Sequence, residues 1–233
     1  MSVPRSIWQI PIVRTPFLLA ELAIKRGLAG LLWLAWRARL NPFAFVRGRA
    51  NTAGRLYLDQ FLSEHAGECA GSFLEFGDPR YRHLFPPARV RRYDILDVAP
   101  GPEVTIVGDI QRTAIPDNTY DVIICTQVLE HVANPFLAAA ELYRILKPGG
   151  RLLLTVPSAY PYHSAPGDYW RFTRDSLGLL FGAPFSDVQI TPYGNRLTVV
   201  AAYWYWTQDH LSRRAMQQPD PNNPLLIAVY ARK

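Results

Sequence analysis

Residues 117–157 read DNTYDVIICTQVLEHVANPFLAAAELYRILKPGGRLLLTVP, and their pattern decides the fold. Val122-Ile123-Ile124-Cys125 is a continuous apolar run, short and β-branched, and so reads as a buried strand. Asn134 then offers a helix cap, and Pro135 suits a first helical turn. Leu137, Ala140, Leu142, Ile145 and Leu146 recur at helical spacing. Lys147-Pro148-Gly149-Gly150 stops the helix. Leu152 to Val156 is a second buried run. Strand, helix and strand make a βαβ unit, which sets the two strands parallel and side by side. Ligands in such sheets bind at the carboxyl ends of the strands. Those ends carry Thr126, Gln127, Glu130 and His131 after the first strand, and residues 157–173 after the second.

The run Asp117–Gly150 resembles class I S-adenosylmethionine (SAM)-dependent methyltransferases, in particular a small methyltransferase-11-like group with LEHV and LKPGG motifs. The resemblance rests on Asp117 and Tyr120-Asp121 before the strand, LEHV at 129–132 and LKPGG at 146–150. It implies a Rossmann-like α/β fold: a mostly parallel, seven-stranded sheet with an antiparallel last hairpin, here with an N-terminal helical extension. It also implies SAM as cofactor.

The chain's 233 residues suit one α/β domain with extensions, and no internal repeat is visible. Its two cysteines, Cys69 and Cys125, make no disulfide framework, which points to a reducing compartment. Charge is unevenly placed. Residues 1–55 hold nine Arg or Lys and one acid, Glu21, for a net +8, whereas the rest of the chain carries −2. A nearly neutral body argues against a nucleic-acid enzyme with a basic catalytic face. Absence of Gly-x-Gly-x-x-Gly after the first strand argues against a nicotinamide dehydrogenase.

The sequence divides into an apolar, basic extension (1–50) and a methyltransferase-like domain (51–233) with an aromatic helical insertion at about 195–215. The extension carries Trp8, Trp33 and Trp36 but lacks both a secretory cleavage pattern and a run of the roughly 20 apolar residues that span a bilayer. Two readings stand side by side: a helix lying in the membrane interface, or a segment that packs over the domain or closes a homodimer. The expected location is cytoplasmic, with the first reading placing the chain on the inner face of the membrane. Residues 51–65 follow as an amphipathic helix with Leu56, Phe61 and Leu62 near one face. The insertion's LTVVAAYWYW (197–206) reads as a helix that packs on the extension or joins it in an apolar patch.

Within the domain, Ser72 to Gly77 resembles the first strand and glycine turn of the SAM motif, acidic-x-Gly-x-Gly. Its second glycine is missing, because Asp78-Pro79-Arg80 follows, although PRYRHLF (79–85) resembles the continuation in short family members. The resemblance assigns Glu75 to the amino group of SAM, with Gly77 and Asp78 forming the turn. Val90 to Leu96 is the second strand; Asp94, with Ile95, is assigned to the ribose, and Asp97 is the competing choice. Val104 to Val107 is the third strand, after which Asp109 and Ile110 would meet the adenine. Gln127 completes the cofactor set, and no metal ligands are expected.

Residues 158–173, SAYPYHSAPGDYWRFT, are rich in aromatic and polar groups and follow a strand beside the cofactor strands. Tyr162, His163, Asp168, Tyr169 and Arg171 are the candidates for holding an acceptor; a rigid lid built on Trp170 and Phe172 is the structural alternative. Thr173 caps a helix reaching about Phe181, and 185–191 and 225–231 are the last two strands. His131, then His163, are candidate bases, imidazole being suited to proton transfer near neutral pH; either is equally readable as a loop-bracing histidine. The expected reaction is methylation of a hydroxyl on a small molecule, glycan or lipid-linked sugar. The alternative is an inactive SAM-fold scaffold at a membrane surface.

Overall fold

The βαβ unit forms where the sequence places it, but its second strand starts at Leu146, six residues before Leu152, so that Lys147-Pro148-Gly149-Gly150 ends the helix by passing directly into that strand. Its first strand is Tyr120–Thr126 (β4), its helix Pro135–Ile145 (α2) and its second strand Leu146–Pro157 (β5). Asn134 caps the helix as expected, its side chain accepting from the backbone N–H groups of Phe136 and Leu137. The buried face of α2 is Pro135, Ala138, Ala139, Leu142 and Ile145. Leu137 and Ala140, expected on that face, point outward instead. The i, i+3, i+4 stripe starts at the proline, and the sequence reading began it two residues late.

This computed structural model describes residues 23–27, 30–31, 52–164, 167–204 and 208–233. Two compact units are present, Met1–Arg47 and Gly48–Lys233. In the first, the described residues are helical and exposed. The two readings of the N-terminal extension therefore fall almost wholly outside the described residues.

The second unit is built on a seven-stranded sheet of order β3-β2-β1-β4-β5-β7-β6. The remaining strands are Gly71–Phe76 (β1), Val90–Asp97 (β2), Ile106–Val107 (β3), Ser186–Tyr193 (β6) and Leu226–Arg232 (β7). Pairing is parallel from β3 to β5 and antiparallel where β7 joins β5 and β6. The expected sheet is thus observed. The third strand is shorter than expected, because residues 104 and 105 lie before its ladder.

The sheet is covered unequally. One face packs on α2 and on Arg174–Phe181 (α3), burying Leu74, Ile123, Leu142, Leu154 and Phe181. Thr173 caps α3 as predicted, in a capping box with Ser176. The other face packs on Ala53–Ala66 (α1), whose Leu58, Phe61 and Leu62 cover Phe73, Val122, Ile124 and Leu153. Complete burial of each such side chain contributes roughly 1.5–3 kcal/mol.

No α-helix joins β1 to β2 here. Two single-turn 3-10 segments, Arg82–Leu84 and Pro87–Arg89, make the crossover, with Pro86 and Pro87 barring a regular helix. Tyr81 and Phe85 bury beside Phe73 and take over part of a helix's covering role.

The insertion forms Arg196–Tyr203 (α4) and Arg213–Met216 (α5). Ala201, Leu211 and Met216 pack against Ala53 and Tyr57 of α1, while Val200 and Tyr203 stay exposed. Both cysteines are free and buried. Burial pushes the Cys69 thiol up to about 12 and that of Cys125 well above the ordinary thiol range.

Candidate functional site

A cleft of about 490 Å³ opens at the carboxyl ends of β1, β4 and β5. It is floored by Glu75, Phe76 and Gly77, walled by Thr126, Gln127 and Pro157, and closed by Tyr160 and His163 from the 158–173 segment. The first turn of α1 adds Thr52, Gly54 and Arg55. Sequence reasoning missed this α1 contribution. Thr52 ahead of a helix that ends near a first strand is the signal that could have found it.

The turn after β1 explains its glycine. Gly77 has φ +83°, and the atom nearest to a Cβ added there is Asp97 Oδ2, at 3.9 Å. Only glycine adopts this conformation without strain, and its backbone faces open space. Gln127 occupies the matching place after β4 with φ 54°, a conformation costly for a residue with a side chain. Its N–H donates to the Thr155 carbonyl at 2.8 Å and its Nε2 to Thr155 Oγ1 at 3.2 Å. The unusual backbone is therefore held from the neighbouring strand.

Glu75 is 1% exposed. Its Oε1 accepts from the Tyr81 N–H at 3.2 Å and its Oε2 from the Tyr93 hydroxyl at 2.5 Å. Burial raises its carboxyl to about 7, against the lowering effect of those two donors. The carboxyl braces the 78–81 turn from behind. Asp78 lies on the cleft rim, paired with Arg80 at 2.8 Å.

The strand register places Asp94 and Ile95, the residues expected at the ribose, inside the sheet and short of its open end. Glu75 pairs with Ile95 and Phe76 with Leu96, and the Gly77 N–H donates to the Leu96 carbonyl. The strand thus ends at Asp97, three residues beyond Asp94. Asp94 is inside the sheet, its carboxylate accepting from the Tyr120 hydroxyl at 2.6 Å and pairing with Arg92 at 2.6 Å. Ile95 is 2% exposed. Asp97, the competing choice, stands beside Gly77 at the open end, with Oδ1 accepting from the Ala99 N–H.

Asp109 and Ile110 are not brought to the cleft lining. Asp109 accepts from the backbone N–H and Nε2 of Gln111, and Ile110 is buried in the main core.

Segment 158–173 is an internally braced lid. Asp168, its side chain 1% exposed, takes both arms of Arg171 at 2.5 and 2.7 Å and the His163 N–H at 2.8 Å. Arg171 holds the Asp168 carboxyl far below the usual carboxylate range. The guanidinium also donates to the carbonyls of Tyr160 and Pro161. Asp168 and Arg171, expected to hold an acceptor, satisfy each other instead. Tyr162 and Tyr169 are 76% and 59% exposed and project from the lid. Phe172 is buried, whereas Trp170 is 40% exposed with its Nε1 donating to the Val132 carbonyl. The N–H groups of Tyr169 and Trp170 both reach the Glu130 carbonyl, tying the lid to the LEHV turn.

His131 and His163, the two candidate bases, come together edge to face with ring centroids 5.0 Å apart. Glu130 lies beside them, 0% exposed. Burial raises its carboxyl to about 8.

Comparison with known proteins follows this geometry. Residues 90–154 match the family model of a methyltransferase domain. A ubiquinone/menaquinone biosynthesis C-methyltransferase of Saccharophagus degradans is 39% identical over 66 residues, covering 24% of this chain and 26% of that protein. A malonyl-[acyl-carrier protein] O-methyltransferase of Serratia marcescens is 30% identical over 93 residues, 36% of each chain. The matched stretches are thus well under half the length of these curated relatives. An N-methyltransferase of Bradyrhizobium japonicum, solved with S-adenosyl-L-homocysteine (SAH), superposes with a TM-score of 0.53 at 15% identity, covering 81% of this chain and 91% of that one.

Proposed function

We propose that this chain, which has the fold of class I SAM-dependent methyltransferases and matches their domain family over residues 90–154, binds SAM in the cleft above β1 and β4 and methylates an acceptor held under the lid. The observation that carries this reading is the open, positive-φ turn at Gly77 beside Asp97. A cleft of about 490 Å³ is in the range for a ligand of nucleoside size.

The residues fit the cofactor's chemistry. Asp97 offers an accepting carboxylate at the end of β2, suited to a pair of ribose hydroxyls. Arg55 and the capped start of α1 bring positive potential to the side where a carboxylate would lie. Glu75, buried behind the turn, holds through the Tyr81 N–H the backbone on which the ligand would rest. When bound, SAM supplies a methyl group on a positively charged sulfur, open to attack from the side opposite the sulfur. The protein's work is then alignment: Gln127 and Pro157 fix one wall, and Tyr160 and His163 fix the acceptor side. His163 or His131 takes the proton of a hydroxyl acceptor. The relatives act through carbon, oxygen and nitrogen acceptors, so the hydroxyl of a small molecule, glycan or lipid-linked sugar is a proposal resting on the two imidazoles.

Calorimetric titration of SAH tests the reading, with a micromolar to sub-millimolar dissociation constant expected. Undetectable binding at millimolar SAH favours the alternative, a scaffold that keeps the fold without the cofactor, to which the helix-free β1–β2 crossover lends support. No helix among the described residues is long and apolar enough to cross a membrane. For the basic extension we propose the interfacial role. Flotation with anionic vesicles at low salt is its check, and failure of the full chain to float would remove it.

A further inference from the structure

Glu130, His131 and His163 meet beside the cleft, which only His163 of the three lines. Each offers one ligand-capable atom, and these atoms all lie within 4.8 Å of one another. Their hydrogen bonding decides what they present. His131 Nδ1 faces the Gly167 carbonyl and must carry a proton to bond it. Its Nε2 is therefore a lone-pair nitrogen, and that atom stands 3.9 Å from Glu130 Oε1. His163 Nδ1 faces two acceptors, the Pro161 carbonyl at 3.2 Å and Asp168 Oδ2 at 3.5 Å. It too is the protonated nitrogen, which leaves its Nε2 as an acceptor. Both oxygens of Glu130 are buried without a hydrogen-bond partner, the nearby N–H of its own backbone being too poorly placed.

Two imidazoles with a lone-pair nitrogen and a carboxyl without a hydrogen-bond partner thus converge. A single proton on Glu130 does not resolve this, since 3.9 Å is beyond hydrogen-bond reach. A buried carboxylate without a hydrogen-bond partner, with the Arg171 guanidinium as a more distant counter-charge, carries a desolvation cost that a bound cation reduces.

We propose that Glu130, His131 and His163 form a binding site for a divalent transition cation of the zinc class. Two imidazoles and one carboxylate are a donor set this class accepts, and three protein ligands leave a further position open. Each imidazole is oriented by an oxygen acceptor on its opposite nitrogen, the arrangement that fixes tautomer and direction in metal-bound histidines. Zn–N distances of roughly 2.0–2.1 Å put tetrahedral ligand atoms about 3.4 Å apart, so the three groups close by about an ångström on binding. His163 rides on the lid, and its movement supplies the closure. The open position points to the acceptor side, where a bound cation, occupying both Nε2 atoms, would replace the imidazoles as base by binding an acceptor oxygen; this last role rests on the methyltransferase reading, whereas metal uptake does not.

The test titrates Co²⁺ into chelator-stripped full-length protein without cofactor or acceptor, read by visible d–d absorption and calorimetry, followed by Zn²⁺. We expect one equivalent of Co²⁺, a saturable visible band and displacement by Zn²⁺. Glu130→Gln and His163→Ala should each weaken uptake at least about tenfold. His163→Ala changes a half-exposed lid residue and leaves the core intact, so loss of uptake there is not loss of fold. No saturable uptake up to millimolar Co²⁺, or uptake indifferent to both variants, overturns the site. SAH is titrated in parallel. SAH binding without metal uptake sinks the metal site alone, and metal uptake without SAH binding keeps the site while removing its catalytic role.

Discussion

Glu75, inside β1 one residue before its end, and Glu130, in the Leu129–His131 turn that follows β4, are both buried, with carboxyls raised by burial to about 7 and about 8. They differ in their partners. Glu75 accepts from the Tyr81 N–H and the Tyr93 hydroxyl, whereas neither oxygen of Glu130 has a hydrogen-bond partner. The first carboxyl is consumed in holding a turn. The second is left for something that arrives. Hydrogen-bond status, more than burial or titration, separates a structural acid from a functional one on two neighbouring strand-to-loop passages.

The comparison breaks most sharply on truncation. Glu75→Ala strands the Tyr93 hydroxyl and the Tyr81 N–H, and should cost on the order of 2–4 kcal/mol in urea unfolding. Glu130→Ala strands no donor, so it should cost less than half as much in metal-free protein. Equal losses would show that the difference in partners carries no energy.

A second test sharpens the β1 side of the cleft. Asp97→Ala should weaken SAH by roughly 1.5–3 kcal/mol, the scale of hydrogen bonds to a charged group, measured by calorimetry. Asp94→Ala should leave that affinity within about twofold while lowering stability, because Tyr120 loses its acceptor. The reverse result would place the ribose deeper along β2 than the register allows.

The two acids also predict a pH dependence. A carboxyl raised in the fold stays protonated where the unfolded chain has already ionised, so stability falls as pH rises between the two values. For Glu75 the window runs from about 4.5 to 7, and for Glu130 from about 4.5 to 8. Between pH 7 and 8 the decline belongs to Glu130 alone. Thermal unfolding of metal-free Glu130→Gln should therefore be flatter across that interval than the parent protein, and Glu75→Gln should not be. The smallest effect is expected for Tyr93→Phe, about 1 kcal/mol. It should widen as pH passes 7, because the lost donor serves the ionised form best.

Much of this was legible from pattern alone. The apolar runs and turn residues of 117–157 located β4, α2 and β5 because a buried strand and a capped amphipathic helix are each dictated by nearby residues. The lid was visible as a composition anomaly, and Thr173 as a cap. What escaped depended on register and on partners far along the chain. Asp94 and Asp97 are indistinguishable by sequence, since both are acids near the end of one apolar strand. Only the pairing of Phe76 with Leu96 shows which one reaches the open edge. Asp168 and Arg171 look like free polar groups until the lid folds them onto each other. Glu130 was noted among the strand-end residues, but its isolation is a property of packing, invisible until every nearby donor is placed.

The two native thiols, both buried and kept protonated, have a practical consequence. Thiol-selective dyes need an exposed, ionisable sulfur, and neither Cys69 nor Cys125, the chain's two cysteines, offers one. The wild-type chain is therefore already silent toward maleimides while folded. A Tyr162→Cys substitution, at a lid position 76% open to solvent, would give one labelling handle without first deleting the natural sulfurs. Fluorescence from that handle would follow the lid in real time as cofactor, metal or acceptor is added.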